Sequence, residues 1–340
     1  MRIILAGFGV VGRSLLEIIG ERGGELRRLY GLNPRFVAIV DRGGAAVSEQ
    51  GLEPLQALQV KKLKKTVAEY PELGRRGLGV EDVLDDVEAD IYIDATPTNI
   101  IDGEPSYTYL RKALAKKLHV VTVNKGPLAL ALPALKEIAN HRRVILRFSG
   151  SVGGGMPVIE FARQCAMGDR VIRVEGILNG TTNYILTRME EDGLSFEKAL
   201  REAQEKGFAE RDPTLDIKGL DTAAKLVILA NEVLGIKSTI QDVKIKGIDE
   251  IRLEDVEKAA ERGEVIRLLG KVDGGLRVEP TAIRREDPLA VKYAMNAVAF
   301  HTENSGRHII TGKGAGGRET ATAIIRDLIQ IKATITRGGI

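Results

Sequence analysis

MRIILAGFGVVGRSLLEII, residues 1–19, opens with an apolar run, Ile3-Ile4-Leu5-Ala6, that meets three glycines, Gly7, Gly9 and Gly12. Leu15, Leu16, Ile18 and Ile19 then recur at helical spacing, so the segment reads as strand, tight turn and helix. In that context G-x-G-x-x-G is a dinucleotide fingerprint. Gly7 permits the turn, Gly9 lets a pyrophosphate approach the backbone, Gly12 lets helix and strand pack closely, and the helix N-terminus takes the phosphates. Phe8, Val10 and Val11 occupy the remaining places of the motif and join the candidate cofactor contacts.

The next apolar run, FVAIVD, ends in Asp41, where an acid accepts hydrogen bonds from an adenosine ribose and favours NAD. Arg42 follows directly and suits a 2′-phosphate, which favours NADP. The two residues point in different directions. Lys61, Lys62, Lys64 and Lys65 would add positive charge near that phosphate, or form a solvated helix face.

Strands are predicted at IYIDA (91–95), HVVTV (119–123) and VILRF (144–148), separated by helical patterns such as YTYLRKALAKK and LPALKEIA. Such alternation gives a doubly wound parallel sheet of the Rossmann type, with ligands at the carboxyl ends of the strands. Thr96-Pro97-Thr98-Asn99 and Asn124-Lys125-Gly126-Pro127 follow two of those ends. Both read as turns, and Lys125 would face the nicotinamide end, with Thr96 and Asn99 beside it.

A chain of 340 residues with 44% apolar content exceeds one average domain. SGSVGGGMP (149–157) reads as a glycine-rich linker or a carbonyl-lined loop, and ILNGTTNYIL (177–186) as strand, turn and helix start. VIRLLGKVDG, LRVEPTAIR and AVAFHTENSG alternate like strands, with turns at Asp273-Gly274-Gly275 and Asn304-Ser305-Gly306. The expected organisation is a nucleotide-binding domain (1–148), an α+β catalytic and dimerisation domain with an open mixed sheet (149–313), and a helix (314–340) returning to the first domain through Ile324, Ile325, Leu328 and Ile329.

GFAERDPTLDIKGLDTAAK, residues 207–225, brings four acids and a lysine together. Glu210, Asp212 and Asp216 are expected on an ordered loop, because Asp212 precedes Pro213. Asp221 and Lys225 are spaced i, i+4 on a helix starting near Lys218 to Leu220, which stacks acid over amine. A solvated pair there contributes only about 0.3–0.5 kcal/mol, too little to account for the arrangement by stability. Taken by itself the segment reads either as a solvated helix N-terminus with acids near the positive dipole end or as a cluster placed for chemistry.

A net charge of +3, 4% aromatics and no Trp leave no basic, base-stacking surface, so no nucleic-acid partner is expected. No apolar run spans a bilayer and none reads as a signal peptide, so no membrane association and a cytoplasmic location are expected. The single cysteine, Cys165, excludes an intrachain disulfide and reads as a buried core thiol among Phe161, Ala162, Ala166 and Met167. His119, His141, His301 and His308 lack metal-ligand spacing.

The ordered set GFGVVG, NKGP, GSVGGGMP, ILNGTTNYIL, GFAERDPTLDIKGLDTAAK and GKGAGGRETA resembles the homoserine dehydrogenase family along essentially the whole chain. The resemblance implies reversible NAD(P)H-dependent reduction of L-aspartate 4-semialdehyde to L-homoserine, a step toward threonine, methionine and isoleucine, by a homodimer formed through the second domain. It implies Lys225 as the proton-transfer lysine, Asp221 as its partner, and Lys125 as a second active-site lysine. Which lysine gives the proton is not decided by spacing. Glu210 and Asp216 would hold the substrate amine and Gly180-Thr181 would contact substrate, while Gly314 and Glu319 would reach the cofactor. Carbonyls of Val152, Gly154 and Met156 would hold a monovalent cation such as sodium, although Ser149 stands where many members carry a ligating glutamate. A regulatory domain or fused kinase is not expected.

Two other readings stay open at this point. Aspartate-semialdehyde dehydrogenase chemistry needs a nucleophilic cysteine, and Cys165 has no nearby His in the sequence. A non-catalytic NAD(P) sensor would have no use for the two lysines and the acid cluster.

Overall fold

The structure is a computed structural model that describes residues 1–336 and 338. The chain divides into two compact units, Met1–Ser151 with Gly316–Ile340, and Val152–Ala315. The sequence-based cuts at 148/149 and 313/314 lie a few residues before these.

In the first unit β1 (Arg2–Ala6) leads through the glycine turn into α1 (Val10–Tyr30), β2 (Arg35–Asp41) and β3 (Gly44–Val47). Then come α2 (Pro54–Lys64), β4 (Gly74–Arg76), α3 (Val80–Asp86), β5 (Ile91–Asp94), α4 (Ser106–Ala115), β6 (His119–Thr122), α5 (Lys125–Arg142) and β7 (Leu146–Arg147). The sheet runs β4-β3-β2-β1-β5-β6-β7, with β2, β1, β5, β6 and β7 parallel. β2-β3 and β3-β4 pair antiparallel, an edge the strand pattern did not reveal because GAAV and GRR are too short to alternate. Strand order reverses between β1 and β5, and ligands of such sheets bind at that switch point.

The second unit comprises α6 (Val158–Cys165), β8 (Val171–Ile177), α7 (Gly180–Asp192), α8 (Phe196–Glu205), α9 (Thr214–Ile217), α10 (Leu220–Val233), β9 (Val243–Ile245) and α11 (Leu253–Glu261). β10 (Glu264–Val272), β11 (Leu276–Arg284), β12 (Met295–Thr302) and β13 (Arg307–Lys313) complete it. Its open sheet runs β13-β12-β8-β10-β11-β9, antiparallel except for β11-β9. The final helix, α12 (Gly317–Thr336), belongs to the first unit and lies on α1. Ile324, Leu328 and Ile331 are fully buried in the same apolar cluster as Leu15 and Leu16, each contributing about 1.5–3 kcal/mol of burial.

Two local expectations are corrected. Cys165 is half-buried, not a core thiol: α6 ends at that residue, Gly168 turns the chain at positive φ, and Met167 is left exposed. Asp216 sits on the one-turn helix α9 rather than on a loop, because Pro213 starts that turn and its carbonyl accepts from Asp216 and Ile217. Among the described residues no helix is long and apolar enough to cross a membrane.

Candidate active site

At the switch point the three glycines of the first turn meet different demands. Gly7 has φ +93° and a Cβ there would lie 2.2 Å from the Ala95 carbonyl oxygen, so the end of β5 runs against the turn. A Cβ at Gly12 would lie 2.3 Å from the Gly7 oxygen, whereas one at Gly9 would meet nothing within 4 Å. Gly9 caps α1, so the open space stands over a helix N-terminus, the arrangement that accepts a phosphate. Phe8 is buried, Val11 partly buried and Val10 exposed, and Val10 lies against Gly317 at the start of α12.

Asp41 ends β2 with its carboxylate already engaged. One oxygen accepts from the Gly43 N–H at 2.9 Å and the Thr66 hydroxyl at 2.7 Å, the other from Lys61 Nζ at 2.6 Å and the Val67 N–H at 2.9 Å. Burial alone would push this carboxyl up, but the bonds from Lys61, Thr66, Val67 and Gly43 outweigh it and hold the group below its ordinary value. Arg42 is exposed beside it.

Thr96 donates through its N–H and hydroxyl to Asp94 at the end of β5. Asn99 donates to Asp102 Oδ1 and the Glu104 carbonyl and accepts from Ile101, so its side chain closes its own loop. The Asn124-Lys125-Gly126-Pro127 segment, read as a turn, is the start of α5: Asn124 caps it by accepting from Gly126, and Lys125 is its first residue. Glu319 lies in the first turn of α12, held against Gly316. Gly314 belongs to the second unit, where a Cβ would collide with Asn296 at 2.0 Å. In that unit Gly153 and Gly154 turn the chain at positive φ, and the Met156 carbonyl accepts from Val158. Ser149, in the first unit, donates its hydroxyl to Asp327. Among the described residues no cluster of His, Cys, Asp and Glu suits a metal ion.

The acid and lysine segment of the second unit closes into one network. Gly219 at positive φ starts α10, which places Asp221 in its first turn and Lys225 one turn on. Lys225, almost fully buried, donates to Asp221 Oδ2 at 2.6 Å and to the Leu178 carbonyl at 2.7 Å. Asn179, the N-cap of α7, accepts from the Thr182 N–H while its amide donates to Asp216 at 2.6 Å and Asp221 at 2.9 Å. Thr181 donates to the Phe208 carbonyl at 2.7 Å, and a Cβ at Gly180 would lie 2.9 Å from the Ala294 oxygen. Burial, then the neighbouring Asp221, pushes the Asp216 carboxyl above its ordinary value, and Asn179 and Lys225 only partly offset this.

The structure therefore joins Lys225, Asp221 and Asp216 as one group, with Gly180 and Thr181 on the adjoining helix start. Glu210 is exposed on the loop between α8 and α9, and its carboxylate takes no part in the network. Asp212 accepts from the N–H and hydroxyl of Thr214 and caps the next turn. Asn179 was not singled out from sequence; its place as Asn before Gly-Thr-Thr, where a strand gives way to a helix, is the cap signal that would have found it. Lys225 thus bonds one of the two carboxylates, and the Asn179 amide bridges both.

The homoserine dehydrogenase family profile matches residues 157–329. The chain is 46% identical over 332 residues to a homoserine dehydrogenase of Methanocaldococcus jannaschii, covering 97% of this chain and 98% of the relative. The chain belongs to the homoserine dehydrogenase family. An NAD(+)-dependent homoserine dehydrogenase of Pseudomonas canavaninivorans is 40% identical, with 99% and 97% covered. Among solved structures, a homoserine dehydrogenase described as putative from Archaeoglobus fulgidus matches at TM-score 0.90 and 37% identity, covering 98% of this chain and 99% of that one. A hyperthermophilic archaeal homoserine dehydrogenase in complex with NADPH matches at TM-score 0.86 and 28% identity, with 98% of each chain covered. The fold is that of the family, and the activity is that of an NAD(P)-dependent oxidoreductase of the family.

Proposed function

We propose that this chain interconverts L-homoserine and L-aspartate 4-semialdehyde with Lys225, positioned by Asp221, moving the proton at the reacting oxygen. The observation that carries this reading is the buried Lys225 ammonium held between Asp221 and the Leu178 carbonyl. Two of its three N–H groups are thereby directed, which leaves one for a substrate oxygen. Asp216, joined to Asp221 through Asn179, is assigned the substrate ammonium, and Glu210 on its exposed loop is assigned a share of the same role. Gly180 and Thr181, at the helix start that Asn179 caps, are assigned contact with the substrate's amino-acid backbone. Lys125, at the first position of α5, is assigned a second positive charge at the reacting end.

The open space over Gly9 and the α1 N-terminus fits a dinucleotide pyrophosphate, held by Gly7, Phe8, Gly9, Val10, Val11 and Gly12, with Thr96, Asn99, Gly314 and Glu319 as further contacts. When bound, NAD(P) accepts or returns the hydride. Asp41 spends all four of its acceptor sites internally, whereas Arg42 remains exposed, so we assign a preference for NADP over NAD. The carbonyls of Val152, Gly154 and Met156 are the groups that would hold a monovalent cation. A cytoplasmic homodimer, formed through the open sheet of the second unit, completes the reading.

The test follows absorbance at 340 nm while the protein oxidises L-homoserine with NAD or NADP, with and without sodium or potassium, and measures mass by light scattering. Turnover faster with NADP, at the mass of two chains, supports the reading. Cofactor binding without turnover removes the roles of Lys225 and Asp216.

A further inference from the structure

Asp94, at the end of β5, is a fully buried carboxylate to which the chemistry above gives no part. It gathers donors from three elements: one oxygen accepts from the Thr96 N–H at 3.0 Å and hydroxyl at 2.6 Å, the other from the Ser106 hydroxyl and from the Thr122 hydroxyl at 3.2 Å. An ionised carboxylate only accepts, so these hydroxyls must donate to it and offer their lone pairs outward. Asn124 uses them: its N–H donates to Thr122 Oγ1 at 3.0 Å and its amide to Thr96 Oγ1 at 3.1 Å. The same amide donates to the Pro97 carbonyl at 3.0 Å, and its oxygen accepts from Gly126, capping the helix whose first residue is Lys125. Gly126 in turn lies so close to Asn99 that a Cβ would sit 2.0 Å from the Asn99 carbonyl oxygen.

We propose that Asp94 is a positioning residue for the reaction: by fixing the direction of the Thr96 and Thr122 hydroxyls it makes Asn124 hold the Thr96-Pro97 backbone and the first turn bearing Lys125 in a single arrangement. This rests on the assignment of that crevice to the cofactor and of Lys125 to the reacting end. The directionality is what distinguishes Asp94 from an ordinary buried cap. Asparagine at this position has nearly the same shape but turns an NH2 toward one pair of donors, Ser106 with Thr122 or the two groups of Thr96, so a hydroxyl hydrogen on that side must swing away and the lone pairs that Asn124 uses are no longer fixed in direction.

Asp94→Asn is expected to lower kcat about 10- to 100-fold with little change in the KM for homoserine, because the network sets geometry and not substrate affinity. Thr96→Val should repeat the effect and Thr96→Ser should restore kcat to within about twofold, which keeps the test decisive if Asp94→Asn does not fold. All are measured well below each variant's Tm. A folded Asp94→Asn with wild-type kcat, or Thr96→Val and Thr96→Ser with equal kcat, overturns the proposal. Lys125→Ala separates the two levels. If it loses turnover while Asp94→Asn and Thr96→Val keep theirs, only the positioning role falls; if it keeps full turnover, the Lys125 assignment falls and takes the positioning role with it.

Discussion

Asp41 with Lys61 in the first unit and Asp221 with Lys225 in the second are ion pairs of the same N···O distance, 2.6 Å, and differ in what surrounds them. Around Asp41 two N–H groups, a hydroxyl and an ammonium saturate one carboxylate, so donors exceed charge and the group is held low. Around Lys225 a second carboxylate, Asp216, sits on the same bridging amide, and burial together with the neighbouring Asp221 charge pushes Asp216 up. The four bonds on Asp41 tie residues 43 and 61–67 to the end of β2. A pair with a second buried acid beside it is costly to the free protein. Equal distance does not mean equal surroundings: what differs between the two pairs is the charge of the next neighbour.

The largest effect belongs to Lys225→Ala, expected to lower kcat about 10²–10⁴-fold while cofactor affinity, read by nicotinamide fluorescence, stays within about twofold. Steady-state absorbance at 340 nm measures it. Retained turnover would make the buried pair of the second unit structural too, and the contrast would collapse.

Asp41→Asn should act on stability instead, costing about 3 kcal/mol, since it removes one partner of a largely buried pair and puts a donor where only donors stand. The pH dependence has a definite sign. Because its folded pKa lies below the ordinary 3.8, Asp41 stabilises the protein above that value, and the contribution is lost as pH falls through the folded pKa. Urea titrations at pH 7 and at acid pH should find the two proteins converging as pH drops. A loss under about 1 kcal/mol at pH 7 would mean that the four donors are satisfied without the charge.

Asp216→Asn should have the opposite sign in stability. A carboxyl raised in the fold favours its protonated form, so its contribution is greatest at low pH and is lost as pH rises through the interval from 3.8 to the folded value. At pH 7 the neutral variant should be as stable as the parent or more so. Substrate pays the opposite penalty: the KM for homoserine should rise about 10- to 30-fold, and the rise in the parent's KM on acidification should flatten in the variant. An unchanged KM would leave the raised carboxyl without a ligand to answer.

How much of this was legible in sequence follows the same division. The first turn was readable residue by residue, since Gly7, Gly9 and Gly12 answer backbone constraints that repeat wherever strand, turn and helix carry a pyrophosphate. The doubly wound class of the first sheet was legible from the alternation of strand and helix patterns. Partners distant in sequence were not. That Asp41 would be saturated by Lys61, Thr66, Val67 and Gly43 depends on how residues 61–67 pack back beside β2, which periodicity does not encode. Asp94 was missed for the same reason, an ordinary polar residue at a strand end until the fold brings three elements to it, whereas Asn179 carried a local cap signal and only its bonds to Asp216 and Asp221 were hidden. Asp221 and Lys225 were found because their contact is local, one helical turn.

The smallest effect tests the finest part of the contrast, between two acids four residues apart. Asp212 and Asp216 share one segment, yet Asp212 is exposed and spends an oxygen on Thr214, below its ordinary value, while Asp216 is drawn inward by Asn179. Asp212→Ala removes only a cap, so Tm should fall by about 1–2 °C and the KM for homoserine should stay within about twofold, followed by thermal melts and the 340 nm assay. If its KM rises as far as that of Asp216→Asn, substrate is held by the summed negative charge of the segment. If only Asp216 responds, it is held by one carboxylate that burial and the Asp221 charge have pushed up.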